Sequence, residues 1–409
     1  MQLQKVYNYS FLGIAMFPVL GLKLATKAII IWALLAIAVV FKNKSYRNIN
    51  RKSLRDLVML SGYYLFLIAN YVWSGFDDSL LKFLETGAPF LVFPLFIVLT
   101  RDEISNKTLH RSLAVFYAAN TILALRCWMR ILQEGFLELQ AQNTFYKPVF
   151  RNLFSEVTGI HLPYLGLLFV FAIFIGFWSI KELKLALYTK AVLLAVNALL
   201  LASIVTFSAR MALGIFVVGT LYGIATQLKS RKSKIAGVGL LTMVVLGLLV
   251  FTPIKARVLE VINTKMELPS ERIKDEEHTV NFRYGIYHCA LGIVKEHFWL
   301  GVGKQNVSKN MQACYNTFTF TGVNDFKNVR YNSHNQYLDW LMSFGIFGCL
   351  LLVISVFWGF GRVTNSLYVI LLLSIALGLL TENLFARQIG VVFFTFFNTL
   401  FFINDTKQN

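Results

Sequence analysis

Apolar runs of about 17–22 residues recur from one end of this chain to the other, and each could cross a hydrocarbon core about 30 Å thick as a helix. Of its 409 residues, 56% are hydrophobic and only 15% are charged. A soluble fold of this size could not bury that much apolar surface, whereas a bilayer accepts it. The pattern therefore predicts an all-α integral membrane protein.

The runs predict about twelve transmembrane helices. We see no internal repeat and no low-complexity segment, so we expect a single polytopic membrane domain over residues 1–409. The predicted spans are 7–22, 24–41, 57–73, 80–100, 112–132, 161–180, 191–209, 211–228, 235–253, 336–359, 366–383 and 388–404.

The basic residues indicate how the chain is oriented in the membrane. The net charge is +18, and the cations cluster in short loops between the apolar runs. Short basic loops face the cytoplasm, and an even number of spans places both termini there too. This distribution argues against a nucleic-acid partner and in favour of a protein surrounded by membrane lipids. The clusters are Lys42–Arg55, Arg101–Arg111, Lys181–Lys190 and Lys229–Lys234.

The same assignment of spans and sides predicts two long loops on the outer face, at about 133–160 and about 254–335. The second, between the ninth and tenth spans, is too long for a simple connection, and loops of this length tend to carry function. Part of it has the pattern of an amphipathic helix on the protein or membrane surface. Its apolar residues at helical spacing are Phe282, Ile286, Cys289 and Ile293.

The four cysteines form no Cys-x-x-Cys pair and no metal-binding spacing. Cys289 and Cys314 share the second outer loop, where an oxidising environment allows a disulfide. The sequence does not decide whether these two residues pair.

Arg210 lies at a turn between two apolar runs, in Thr206-Phe207-Ser208-Ala209-Arg210, with no polar loop around it. A guanidinium at a tight membrane turn costs several kcal/mol unless it is paired or hydrated. One interpretation is an interfacial cation that snorkels to water. The other is an anion clamp, because the planar guanidinium matches phosphate oxygens in two-point contact.

His334 lies in Asn332-Ser333-His334-Asn335, directly before the span predicted at 336–359. An imidazole beside the outer start of a helix can act as a base near neutral pH, and the free backbone N–H groups there favour anions. The structural alternative is a helix-capping cluster in which Ser333 or Asn335 is the cap.

Arg283 begins the amphipathic stretch that ends in Gly301-Val302-Gly303. It is either a phosphate ligand or a solvated cation on the polar face of the helix. The Gly-x-Gly predicts a tight turn at which another group can come close to the backbone. Two glycines alone do not make a phosphate-binding loop.

Other polar residues near the outer face are weaker site candidates, and for each of them we favour a structural role. Arg126 and Arg130 are four apart near the outer end of a span, and His161 opens the span at 161–180. Arg387 could pair with Glu382.

Motifs for metals and cofactors are missing from the sequence. It has no Asp-x-Asp, no His-x-x-x-His, no Walker A loop and no Gly-x-Ser-x-Gly. Asp77-Asp78 is explained by a short outer turn. Arginines and a histidine at the outer face can bind pyrophosphate and move a proton without a metal or cofactor.

The pattern over residues 191–400 resembles the O-antigen ligase family, whose superfamily also includes O-antigen polymerases and bacterial protein O-oligosaccharyltransferases. The similarity lies in a short motif ending in Arg at an outer turn, a loop segment with Arg and Gly-x-Gly, and a His-Asn motif entering a helix with a glycine turn. A His-containing segment is also similar. The matching residues are Ser208–Arg210, Arg283–Gly303, Asn332–Asn335 with Tyr337 and Gly345–Gly348, and Gly159–His161.

This resemblance implies a GT-C-like, metal-independent, inverting glycosyltransferase of the bacterial inner membrane, with its active site in the periplasm. The donor would be a glycan on undecaprenyl pyrophosphate. The acceptor would be lipid A–core in a ligase, another glycan in a polymerase, or a protein in an oligosaccharyltransferase; we favour the ligase. Arg210 and Arg283 would neutralise the leaving pyrophosphate, and His334 would take the proton of the acceptor hydroxyl.

A lipid-linked oligosaccharide transporter is the alternative outside the enzyme class. Transporters usually consist of two related halves with a site near the midplane of the membrane. Here we detect no repeat, and the candidate residues gather at one face. These features favour an enzyme.

Overall fold

The computed structural model describes residues 2–143, 148–251, 268, 279–318 and 331–406. Within those residues the elements are α-helices and short 3-10 helices, and no strand is present. The fold is therefore that of an all-α, multi-pass membrane protein, as the sequence predicts. Residues 252–267, 269–278 and 319–330 of the predicted outer loop lie outside the described part.

The helices are numbered here in chain order. They are α1 Gln2–Ala15, α2 Phe17–Asn43, α3 Arg51–Trp73, α4 Leu81–Gly87, α5 Pro89–Leu99, α6 Asn106–Glu134, α7 Phe136–Gln142, α8 Val149–Thr158, α9 Leu162–Glu182, α10 Leu187–Thr206, α11 Arg210–Gln227, α12 Arg231–Phe251, α13 Thr279–Glu296, α14 Lys304–Tyr315, α15 Gln336–Val356, α16 Ser366–Thr381 and α17 Gln388–Thr406.

Among the described residues, eight helical segments are long and apolar enough to cross a membrane. They are α2, α3, the stretch from Asp78 to the end of α5, α6, α9, α10, α15 and α17. Helix α16 is a shorter apolar helix, and α1 has 14 residues. The count of twelve spans stays a prediction.

Glycine and proline break several of the predicted spans. Gly21 is non-helical inside α2, with φ 69°, at the junction of the first two predicted spans. The fourth predicted span is divided into α4 and α5, and Pro89 opens the second piece. Gly345 interrupts α15 with φ 62°, within the predicted span 336–359 and at the glycine turn that the family resemblance implies. Left-handed backbone of this kind favours glycine, which has no Cβ.

Polar contacts join helix ends at the face where the basic clusters lie. Trp358 Nε1 donates to Asp56 Oδ1 at 3.2 Å, which links the end of α15 to the start of α3. The backbone N–H of Thr364 donates to Asp405 Oδ2 at 2.6 Å, which brings the end of α17 to the start of α16. The polar groups of these helix ends are thus satisfied within the protein.

Helices α9 and α17 form the centre of the described bundle, because 72% and 89% of the residues in their most apolar stretches are buried. An aromatic cluster joins them to α6. The ring centroid of Phe116 lies 5.0 Å from that of Phe397, and Phe171 lies 5.4 Å from Phe393. In lipid, helices associate through close van der Waals packing and hydrogen bonds, because lipid tails are as apolar as leucine. Aromatic pairs add about 0.5–1.5 kcal/mol each.

The two described helices of the large loop, α13 and α14, pack on each other and on Met342 of α15. Ile286, Cys289 and Ile293 form the buried side of α13, which confirms the predicted amphipathic helix. A disulfide joins Cys289 to Cys314 with their Cα atoms 5.7 Å apart, which answers the question that the sequence left open.

The Gly-x-Gly segment lies against the bend of α15. The N–H groups of Val302 and Gly303 donate to the carbonyls of Met342 and Ser343 at 2.8 and 2.9 Å. A Cβ on Gly301 would lie 2.5 Å from the backbone N of Phe344. The close backbone approach predicted for these glycines is therefore an approach to α15.

Glycine also allows helices α9 and α11 to pack closely in the bundle. A Cβ on Gly219 of α11 would lie 2.4 Å from Cζ of Phe174 on α9, a ring that is buried. Gly223, one turn further along α11, has open space where its Cβ would be. These two glycines form a matched pair for a packing test.

We expect Gly219→Ala to destabilise the protein by about 1–3 kcal/mol, because overpacking forces the Phe174 ring or the helix to move. Gly223→Ala should leave stability unchanged or raise it, since alanine is the better helix former by about 1 kcal/mol. Thermal unfolding of both variants in the same detergent measures the difference. Equal melting temperatures would show that α9 and α11 do not pack as described.

Candidate functional site

His334 and Glu382 form the closest polar pair in the part of the site that the structure describes. Nδ1 of His334 lies 2.9 Å from Oε2 of Glu382, and the carboxylate side chain is only 8% exposed. An ionised carboxylate can only accept, so the hydrogen of the imidazole lies on Nδ1 and Nε2 has a free lone pair. The pair thus presents one ring nitrogen as a base.

The local backbone explains how His334 is held. It has φ 46°, and its N–H donates to Oδ1 of Asn332 at 3.0 Å. Asn335 is the N-cap of α15 and accepts from the N–H groups of Tyr337 and Leu338 at 3.0 and 3.1 Å. The cap is therefore Asn335, so capping does not account for the imidazole of His334.

His161 approaches the same carboxylate from the start of α9. Its Nδ1 lies 3.9 Å from Oε1 of Glu382. Burial lowers the pKa of His161, and the Glu382 carboxylate raises it by a smaller amount. His161 therefore stays neutral to a lower pH than an exposed histidine does. The guanidinium groups of Arg387 and Arg151 also lower the pKa of His161.

A cavity of about 230 Å³ contains the two arginines predicted to bind phosphate. Arg210 lines it from the start of α11 and Arg283 from α13, and Arg151 of α8 is a third arginine in the lining. The remaining lining residues are Leu162, Pro163, Ser208, Ala209, Met211 and Thr381. Three guanidinium groups around one small cavity make it suitable for a multiply charged anion.

The turn before α11 brings Arg210 to this cavity. Ser208 has φ 52°, and the carbonyl of Ser208 accepts from the N–H of Arg210 at 3.1 Å. Nη1 of Arg151 donates to the carbonyl of Phe207 at 3.1 Å. Arg151 thus binds the turn that positions Arg210, in addition to lining the cavity.

The histidine–glutamate cluster adjoins the arginine cavity at two points of the chain. Thr381 lines the cavity and directly precedes Glu382, and Leu162 lines it and directly follows His161. Consecutive Cα atoms are 3.8 Å apart. The arginine cavity is therefore next to the backbone that carries His161 and Glu382.

The weaker candidates are placed differently. Arg387 is exposed beside this cluster, with its guanidinium 5.9 Å from the ring centroid of Tyr164. Arg126 lies on α6, where Nη2 is 3.5 Å from the carbonyl of Val157, and it does not line the arginine cavity. Arg130 pairs with Glu134 at 2.6 Å, one turn along the same helix. These contacts favour the structural interpretation of Arg126 and Arg130 over a role in the site.

Two residues of this site were not singled out from the sequence. Glu382 was considered only as a partner for Arg387, although an acidic residue within a predicted span is itself a signal of function. Arg151 lies in the predicted loop at 133–160, and no local pattern distinguishes it from a solvated cation. Among the described residues, no group of three or more His, Cys, Asp or Glu stands where it could hold a metal ion.

Comparison with protein families gives a match, mostly in the second half of the chain. Residues 195–353 match the family model described as O-antigen ligase. The matched segment contains Arg210, Arg283 and His334, whereas Arg151 and Glu382 lie outside it. A search of curated proteins found no match to the chain.

Pyrophosphate should bind the arginine cavity and raise the thermal stability of the protein, because ligands that bind only the folded state stabilise it. Arg210→Lys should lose most of this effect, since lysine keeps the charge and loses the two-point contact. The matched control is Arg126→Lys, outside the cavity, which should respond to pyrophosphate as the parent does. Thermal shift against pyrophosphate concentration gives the measurement. A parent-like response in Arg210→Lys would remove Arg210 from the site.

Proposed function

We propose, from the match of residues 195–353 to the O-antigen ligase family model, that this chain is a ligase-type membrane glycosyltransferase. In this proposal it moves a glycan from undecaprenyl pyrophosphate to lipid A–core at the periplasmic face of the inner membrane. The observation that carries the proposal is the cavity lined by Arg151, Arg210 and Arg283 next to the His334–Glu382 pair.

The acceptor hydroxyl is activated by His334. Its Nε2 takes the proton while the hydroxyl oxygen attacks the anomeric carbon of the donor sugar. Glu382 holds the opposite ring nitrogen, so it fixes the tautomer and stabilises the imidazolium that forms. A new glycosidic bond to the acceptor replaces the bond to pyrophosphate, and attack opposite the leaving group inverts the anomeric configuration.

The leaving group is stabilised by the arginines. As the bond between sugar and pyrophosphate breaks, negative charge grows on the phosphate oxygens. Arg210 and Arg283 are placed to neutralise it, the task that a divalent metal performs in many other enzymes. Arg151 supplies further positive charge and holds the Phe207 carbonyl, so that Arg210 keeps its direction.

The distribution of polar features supports the proposed orientation. The disulfide between Cys289 and Cys314 belongs to the loop that carries Arg283, and disulfides persist in oxidising compartments such as the periplasm. The basic clusters lie in other loops, which the positive-inside rule assigns to the cytoplasm. A lipid-linked donor then reaches the arginine cavity from the outer leaflet.

The identity of the acceptor distinguishes the proposed ligase from the two other kinds of glycan transferase in the superfamily. A glycan acceptor would make the chain a polymerase, and a Ser or Thr hydroxyl of a protein would make it an oligosaccharyltransferase. Reconstitution with labelled donor and each acceptor in turn identifies which one gains sugar. No transfer to any of them, with movement of donor across the bilayer, would indicate the transporter instead.

Transfer should continue in excess chelator, because the arginines provide the positive charge that the leaving pyrophosphate needs. The assay compares glycan transfer by one preparation with and without EDTA. A loss of activity that magnesium or manganese restores would contradict the arginine mechanism.

His334→Ala should bind the lipid donor normally and transfer glycan about 10²–10⁴ times more slowly, the usual contribution of a general base. Glu382→Gln should lose at least about tenfold, because a neutral amide no longer fixes the tautomer. Donor binding and single-turnover rate are measured on the same folded sample.

The matched control for this pair is Asn335→Ala, which removes the helix cap. It should cost roughly 0.5–2 kcal/mol of stability and leave turnover per folded molecule little changed. If His334→Ala behaves like this control, or if it loses donor binding together with turnover, His334 is not the base.

A further inference from the structure

A second cavity, of about 560 Å³, lies between the C-terminal turns of α3, the Gly-x-Gly segment and the bend of α15. It shares no lining residue with the arginine cavity. The Gly-x-Gly segment contributes Gly301 and Gly303 to its wall, and α15 contributes Ser343 and Phe344. The cavity is therefore a consequence of the contact between the loop and α15.

The lining is polar but uncharged. It has no acidic or basic side chain and contains the amides of Asn70 and Gln305. The side-chain oxygens of both amides are buried, with no hydrogen-bond partner among the described residues. The last torsion of an amide side chain is broad, so either amide can turn toward a ligand without backbone movement. Such groups bind hydroxyls, and the aromatic rings of Phe66 and Phe344 beside them suit the apolar faces of a sugar.

The rim of this cavity is apolar and exposed. Trp73 is 91% exposed, Leu300 78%, Leu351 57% and Phe347 55%, and all four line the cavity. On a membrane protein, such a rim faces lipid, and a tryptophan there is typical of the membrane interface. A ligand that fits both the rim and the amides is amphipathic.

The position along α15 relates this cavity to the proposed base. His334 lies two residues before α15, and the first lining residue on that helix is Ser343. Ser343 is seven residues after Gln336, which corresponds to about 10 Å along a helix. A group bound in the cavity is therefore not the reacting hydroxyl, but a part of the same molecule nearer its lipid anchor.

We propose that this cavity between α3, the Gly-x-Gly segment and α15 binds uncharged sugars of a glycolipid acceptor, on the anchor side of the sugar that reacts. The proposal rests on the proposed function, and it adds a separate acceptor subsite. The donor pyrophosphate occupies the arginine cavity, and uncharged sugars of the acceptor occupy the amide-lined cavity, whose first residue on α15 is Ser343.

Photocrosslinking tests occupancy without any need for turnover. A benzophenone amino acid replaces Ala69, which lines the cavity, or its neighbour Ile68, which does not. Proteoliposomes contain radiolabelled rough lipopolysaccharide, which ends at the core sugars. We expect saturable labelling that is several times stronger at position 69 than at 68.

Two further arms identify the source of the signal. Labelled phosphatidylglycerol in place of the glycolipid should give equal labelling at both positions, and free core oligosaccharide should compete only weakly because it lacks the anchor. Equal labelling by the glycolipid at 68 and 69, or stronger labelling at 69 by phosphatidylglycerol, would overturn the proposal.

Variants then relate the cavity to acceptor use. Asn70→Leu and Gln305→Leu should each raise the acceptor KM by roughly tenfold, the effect of losing a hydrogen bond to a buried group, and leave the donor KM unchanged. Ala69→Trp should fill the cavity and act in the same way, whereas Ile68→Trp should not. A rise in donor KM alone, or parent-like kinetics in all four variants, would assign the cavity no part in acceptor binding.

The two proposals can fail separately. Saturable labelling at position 69 in a protein that transfers no glycan would refute the proposed activity and leave the glycolipid site standing. Transfer to lipid A–core without preferential labelling at position 69 would do the reverse.

Discussion

The backbone contact between the Gly-x-Gly segment and the bend of α15 organises the part of the described structure that contains the loop helices. Carbonyls at Met342 and Ser343, released where Gly345 interrupts the helix, accept from Val302 and Gly303. Ile346 in turn donates to the carbonyl of Phe298 at 2.8 Å. Unpaired backbone groups are costly at membrane depth, so this exchange of hydrogen bonds stabilises both partners. It holds the loop helices against α15, and with them Arg283, which lies on the same helix as Ile286 and Cys289.

At the candidate site, the buried carboxylate of Glu382 is the group that brings the surrounding elements together. A carboxylate with 8% exposure is costly unless donors surround it, and here the two imidazoles of His334 and His161 approach its two oxygens. The cost of burial is met by the same contacts that orient the proposed base. The reactive group is thus held by residues from α9, α15 and the end of α16, three elements distant in sequence.

Residue patterns along the chain predicted the helices better than the site. Apolar runs revealed most spans because membrane thickness sets their length, and the helical spacing of Ile286, Cys289 and Ile293 revealed α13. Arg210 and Arg283 could be named because a cation in an apolar context is conspicuous. Glu382 could not be assigned its partner, because Arg387 is five residues away and His334 is 48 away, and only the fold brings the latter close. The break at Gly345 depends likewise on a loop that precedes it.

The order of these segments along the chain bears on biogenesis. Residues 298–303 precede α15 in the chain and are therefore synthesised first. The segment that contacts the bend of α15 already exists when Gln336–Val356 enters the membrane. A helix divided in its first half is a poor candidate for insertion as an isolated unit, since its freed carbonyls would face lipid. We therefore expect α15 to become stable in the membrane only when residues 298–303 have docked on it and supply donors to these carbonyls.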